Sequence, residues 1–127
     1  GTTCKIGDKT PIRDMNFVTD TAKAFMAVAE NEKCLGDTFN TGTGVGVTVG
    51  EIIDRVSAIT GIHKEFQTDN SRVRPGKSEV FKLLATSEKL QLATSWRPRV
   101  SLDEGLASTI DFIKRNGNQV NVGKYEV

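Results

Sequence analysis

Three cations, Arg72, Arg74 and Lys77, fall within one polar stretch of the chain. Guanidinium groups match phosphate oxygens through paired hydrogen bonds, so the stretch suits a phosphate-bearing ligand; exposed loop cations are also commonly no more than solvated. Arg13 and Asp14 stand directly ahead of the apolar run Met15 to Val18, and adjacency alone leaves them as either a structural ion pair or a ligand contact. The glycines at 42, 44, 46 and 50 invite a dinucleotide reading, because a bare backbone can approach a pyrophosphate above a helix N-terminus. The spacing does not fit. A GxGxxG pattern starting at Gly42 needs glycine where Val47 stands, and one starting at Gly44 needs it at Val49. A flexible strand-to-helix connection is the other reading, with amides ahead of the next helix still open to an anion.

Nucleophilic chemistry finds little to work with. His63, the one histidine, lies between Ile62 and Lys64 in a turn with no identifiable serine or cysteine partner. Asp103 and Glu104 belong to the first turn of a helix, where carboxylates favour the dipole, so capping outweighs acid–base work. Cys4 and Cys34 lack CxxC spacing and a nearby histidine, which argues against zinc and leaves them as small structural residues. The 17 basic and 16 acidic residues leave a net charge of +1, spread without blocks, so neither nucleic acid nor a membrane surface is an expected partner. With no span-length apolar run and no leader-like start, the cytoplasm is the expected location.

The elements that must position these residues follow from local pattern. Ala22, Phe25, Met26 and Ala29 have the spacing of one helical face, with Thr19 or Asp20 as cap and an end near Glu32. Met15 to Val18 reads as extended, and Asp37 to Asn40 as a strand after the Gly36 break. Thr48 with Glu51, and Ser101 with Glu104, carry the S/T-x-x-E spacing of a capping box, so a helix starts at each. The first presents Ile52, Ile53, Val56 and Ile59 and ends at Gly61; the second presents Leu102, Leu106, Ile110 and Ile113 to about Arg115. Lys64 to Thr68 is a short strand, Asp69 to Lys77 a loop, Ser78 to Ala85 extended, and Thr86 or Ser87 caps a short helix ended by Trp96 and Pro98. The segment from Gly117 to Val127 adds a strand or stays loose. The 127 residues suffice for one globular domain with its own core.

The order Arg13-Asp14-Met15-Asn16-Phe17-Val18-Thr19-Asp20, Phe39-Asn40-Thr41-Gly42, Arg74-Pro75-Gly76-Lys77-Ser78-Glu79-Val80, Trp96-Arg97-Pro98 and Glu104-Gly105-Leu106 resembles the C-terminal half of extended short-chain dehydrogenases. The nearest in flavour are the nucleotide-sugar epimerases and 4,6-dehydratases, particularly dehydratases acting on nucleoside-diphosphate amino sugars. The resemblance implies a small mixed α/β lobe of short strands and about four helices, a single domain over residues 1–127, without the Rossmann half. It implies a nucleoside-diphosphate sugar as ligand: Arg13 and Arg74 match arginines that hold the pyrophosphate, Arg72 is a looser match, and Glu79 matches an acidic position near the nucleotide. Asp20 and Asn40 match positions that look structural. The intact family enzyme uses NAD and a Tyr-x-x-x-Lys pair; here the single tyrosine, Tyr125, has two residues after it, and no GxxGxxG occurs. No cofactor is therefore expected in this chain, no catalytic residue is assigned, and the chain alone is expected to be inactive. The runner-up is a stand-alone binding module that associates with itself through the surface the missing half would cover.

Overall fold

The computed structural model of the protein describes residues 3–73 and 80–117. In chain order the elements are β1 (Thr3–Ile6), β2 (Ile12–Asp14), α1 (Val18–Ala29), a 3-10 turn (Glu32–Cys34), β3 (Gly46–Thr48), α2 (Val49–Thr60), β4 (Glu65–Thr68), a second 3-10 turn (Asn70–Arg72), β5 (Lys82–Leu83), α3 (Glu88–Ala93) and α4 (Leu102–Asn116). Among the described residues this is the small mixed α/β lobe with four α-helices that the resemblance implies.

The strands form two small sheets. β1 pairs in parallel with β4, from Thr3 opposite Glu65 to Ile6 opposite Thr68. β2 is the centre of the other sheet, antiparallel to β3 and parallel to β5. Its register sets Arg13 opposite Val47 on one side and Leu83 on the other.

Both capping boxes form. Thr48 Oγ1 accepts from Glu51 N at 3.1 Å while the Glu51 carboxylate accepts from Thr48 N at 2.7 Å. Ser101 and Glu104 repeat the exchange at 3.3 and 2.9 Å. Each box satisfies amides that a helix start otherwise leaves unpaired. Gly61 closes α2 in the left-handed conformation at φ +68°, the position that favours a residue without Cβ. The middle of α2 is tied to the start of α4 by Arg55 Nη1 and Asp103 Oδ1, 2.7 Å apart.

Four local expectations are corrected. First, α1 begins at Val18 behind Phe17, which offers no side-chain cap, and Asp20 points inward instead of capping. Its buried face carries Asp20 and Ala24 with Ala27 and Val28, and the predicted stripe is turned outward, leaving Phe25 73% and Met26 58% exposed. The core is the reason: Leu90 and Trp96 press against the helix, and Ala24 leaves room for them. Second, Asp37 to Asn40 pairs with no strand among the described residues. Third, the strand near Met15 to Val18 lies earlier, at Ile12–Asp14, where β3 and β5 supply ladder partners. Fourth, Ser87 precedes α3 but makes no cap hydrogen bond; its Oγ donates to Gly42 O at 3.0 Å.

Candidate functional site

β2 ends in a carboxylate that organises two loops. Asp14 Oδ1 accepts from Thr43 N at 2.9 Å and Thr43 Oγ1 at 2.6 Å; Oδ2 accepts from Gly44 N at 2.8 Å and Ala85 N at 3.4 Å. Burial pushes this carboxyl up, but the hydrogen bonds from Thr43, Gly44 and Ala85 outweigh it and hold it below the ordinary aspartate value. Asp14 is thus a loop anchor, both of its oxygens accepting from the chain itself.

The glycine cluster is explained by the same approach. A Cβ on Gly42 would lie 2.5 Å from Ala85 Cβ and 2.7 Å from Asp14 Oδ2; one on Gly46 would lie 2.6 Å from Ile12 Cγ2. Gly44 takes φ +76° at the turn. Gly42 and Gly46 make space for protein atoms, so the gap each leaves is filled by this chain and not open to a dinucleotide pyrophosphate.

Beside this anchor opens a cleft of about 420 Å³, lined by Met15, Thr43, Val45, Val47, Val100 and Leu102 among others. Arg13 and Val47 are directly paired across the antiparallel β2–β3 ladder, so their side chains share one sheet face. Arg13 Nη1 donates to Ile12 O at 2.9 Å and reaches Phe81 O at 3.5 Å. The far wall of the cleft is held by Asp20, whose Oδ2 accepts from Arg99 N at 2.8 Å and Val100 N at 2.9 Å.

Of the predicted site residues, Arg13 therefore lies on the central strand next to the cleft. Arg72 lies on the other sheet's flank: Nη1 donates to Lys5 O at 3.2 Å and Nε stands 3.6 Å from Asp69 Oδ2. Arg74, Lys77 and Glu79 lie outside the described residues, as does Tyr125. The described chain resumes at Val80, one residue before the Phe81 carbonyl that Arg13 reaches. His63 is exposed, Cys4 and Cys34 are both free thiols, and among the described residues no group of three histidine, cysteine or carboxylate side chains is placed to hold a metal. No described helix is long and apolar enough to cross a membrane. Sequence reading missed the anchoring by Asp14 and the cleft walls at Met15, Val45 and Val100. The anchor's partners lie 29 to 71 residues away, and spacing carries no signal over such distances.

This architecture is that of the C-terminal part of an extended short-chain dehydrogenase. The profile of the GDP-mannose 4,6 dehydratase family matches residues 1–109, and the chain belongs to this family of nucleotide-sugar epimerases and dehydratases. It is 31% identical over 120 residues to the UDP-glucose 4-epimerase of Mycolicibacterium smegmatis, a match covering 94% of this chain and 36% of the relative. The structure of UDP-glucose 4-epimerase with UDP-glucose from Thermotoga maritima superimposes with a TM-score of 0.77 at 32% identity, over 88% of this chain and 35% of that one. An epimerase from Methanothermobacter thermautotrophicus gives a TM-score of 0.80 at 25% identity, over 91% and 34%. The chain spans about a third of the length of these relatives.

Proposed function

We propose that residues 1–127 form a single domain that binds a nucleoside-diphosphate sugar, the substrate lobe of an NAD-dependent epimerase or 4,6-dehydratase. The observation that carries the reading is the place of Arg13, on the central strand of a family-matched fold and on the same sheet face as cleft-lining Val47. In this reading Arg13 and Arg74 grip the diphosphate, Arg72 adds a cation at the edge, and Glu79 faces the nucleotide. Paired guanidinium donors suit phosphate oxygens, and the apolar cleft beside them suits a base or sugar face. Support for the ligand class comes from the Thermotoga maritima relative, whose structure holds UDP-glucose.

Epimerisation and dehydration by the whole enzyme require hydride and proton transfer. NAD supplies the hydride chemistry in the intact family enzyme, and the sequence has neither Tyr-x-x-x-Lys nor GxxGxxG to complete such a site. The lobe's part is to bind and orient. Calorimetric titration with UDP-, GDP- and CDP-sugars, with NAD as control, tests this: saturable binding of a sugar nucleotide without NAD is expected, and no binding at millimolar ligand overturns it.

A second reading, a module that associates with itself, is favoured by one observation. Leu35, Leu92 and Phe25 are 80%, 81% and 73% exposed. Where such side chains form a contiguous patch, they mark a contact surface. Sedimentation of the purified chain decides between a monomer and an assembly.

A further inference from the structure

The anchor at the end of β2 reaches the cleft through one hydroxyl. Thr43 Oγ1 donates to Asp14 Oδ1 at 2.6 Å and accepts from Val45 N at 3.1 Å. The Asp14 carboxylate therefore holds Val45 by a two-step relay, while its other oxygen fixes Gly44 N at 2.8 Å. Val45 is 69% exposed and lines the cleft, so no packing of its own side chain fixes where it stands. Gly44 at φ +76° makes the turn that lets the Thr43 and Gly44 amides converge on one carboxylate. Gly42 leaves the gap through which that carboxylate enters.

We infer that Asp14 is the positioning residue of the ligand cleft, holding the Thr43–Val45 lip in place through the Thr43 hydroxyl without touching ligand itself. The inference rests on the nucleotide-binding reading for its ligand, while its structural half stands on the relay alone. A lip held by three of its own donors on one carboxylate is ordered before ligand arrives, which removes an ordering cost from binding. Asparagine is the informative replacement. It keeps the shape but sets an NH2 group against at least one of the backbone N–H donors, so the cage cannot close in either amide orientation.

The test uses the full chain with UDP as probe, read by calorimetry, together with hydrogen exchange at the amides of Thr43, Gly44 and Val45. Asp14→Asn is expected to weaken UDP binding by about tenfold and to speed exchange at those three amides while α4 amides stay protected. Thr43→Val, which deletes the relay hydroxyl, is expected to weaken binding by about threefold, and Thr43→Ser, which keeps it, to bind as wild type. Wild-type UDP affinity in a folded Asp14→Asn overturns the inference. Should Asp14→Asn not fold, equal affinity of Thr43→Val and Thr43→Ser overturns it instead. Absence of UDP binding by the wild type overturns the parent reading and the ligand half together, whereas unchanged exchange at 43–45 in Asp14→Asn overturns the positioning whatever UDP does.

Discussion

Asp14 and Asp20 show what a carboxylate does when the chain brings it backbone donors. Asp20 is fully buried; besides the two amides on Oδ2, its own carbonyl accepts from Trp96 Nε1 at 2.8 Å. Asp20→Ala would strand the amides of Arg99 and Val100, and a buried unsatisfied donor costs about 1–3 kcal/mol, so a loss of roughly 3 kcal/mol is expected in urea denaturation. Gly42→Ala tests the close approach at the anchor: with a Cβ only 2.5 Å from Ala85 Cβ, something must move. Overpacking of this kind costs about 1–3 kcal/mol, readable as a lowered urea midpoint. Asp14 also gives a pH signature. Its folded value is depressed, so its stabilisation is present above the ordinary value of 3.8 and is lost as pH falls through the lower folded value. The thermal midpoint of the wild type should therefore fall more steeply below that pH than the midpoint of Asp14→Asn. For the ligand, Arg74→Ala is expected to weaken sugar-nucleotide binding by about 1.5–3 kcal/mol, the range for a charge-assisted hydrogen bond; an unchanged affinity would remove Arg74 from the site.

Helices α2 and α4 are held at their starts by matched devices. Thr48→Ala and Ser101→Ala should each cost about 1 kcal/mol, measured by chemical denaturation. Both partner glutamates are shifted the same way: Glu51 by the Thr48 backbone and then side-chain hydrogen bonds, Glu104 by the Ser101 side chain and then its backbone. Each is held below the ordinary glutamate value of 4.5, so the boxes are intact above that pH and loosen as it falls through the lower folded values. Glu51→Gln should flatten the acid limb of the α2 melt. α1 is different in kind, because the Phe17 side chain supplies no cap and the helix is held by its inward face against Leu90 and Trp96. Its stability comes from packing.

At the scale of the molecule, the described core is small, built on Ala24, Leu90 and Trp96 with Ala27, Val28 and Phe39 beside them. The exposed apolar side chains of α1, α3 and Leu35 are correspondingly numerous. If they drive assembly, Phe25→Asp combined with Leu92→Lys should return a concentration-dependent sedimentation profile to the monomer with little change in stability, since both side chains are mostly exposed. An unchanged profile would remove this face from any interface.

The sequence by itself determined what lies within about four residues. The capping boxes at Thr48 and Ser101 and the left-handed stop at Gly61 are local hydrogen-bond and backbone matters, and each formed as its spacing requires. The order of motifs from Arg13 to Leu106 likewise determined the family, because it is a property of the string. Only the tertiary structure decided which way α1 faces, since Phe25 and Met26 have helical spacing but the core selects the face carrying Ala24. Only it decided that Gly42 and Gly46 leave room for Asp14, Ala85 and Ile12, because those neighbours come from β2 and the stretch following β5. Asp37 to Asn40 belongs to the same group: strand-forming residues become a strand when a ladder partner stands beside them, and the described chain provides none there.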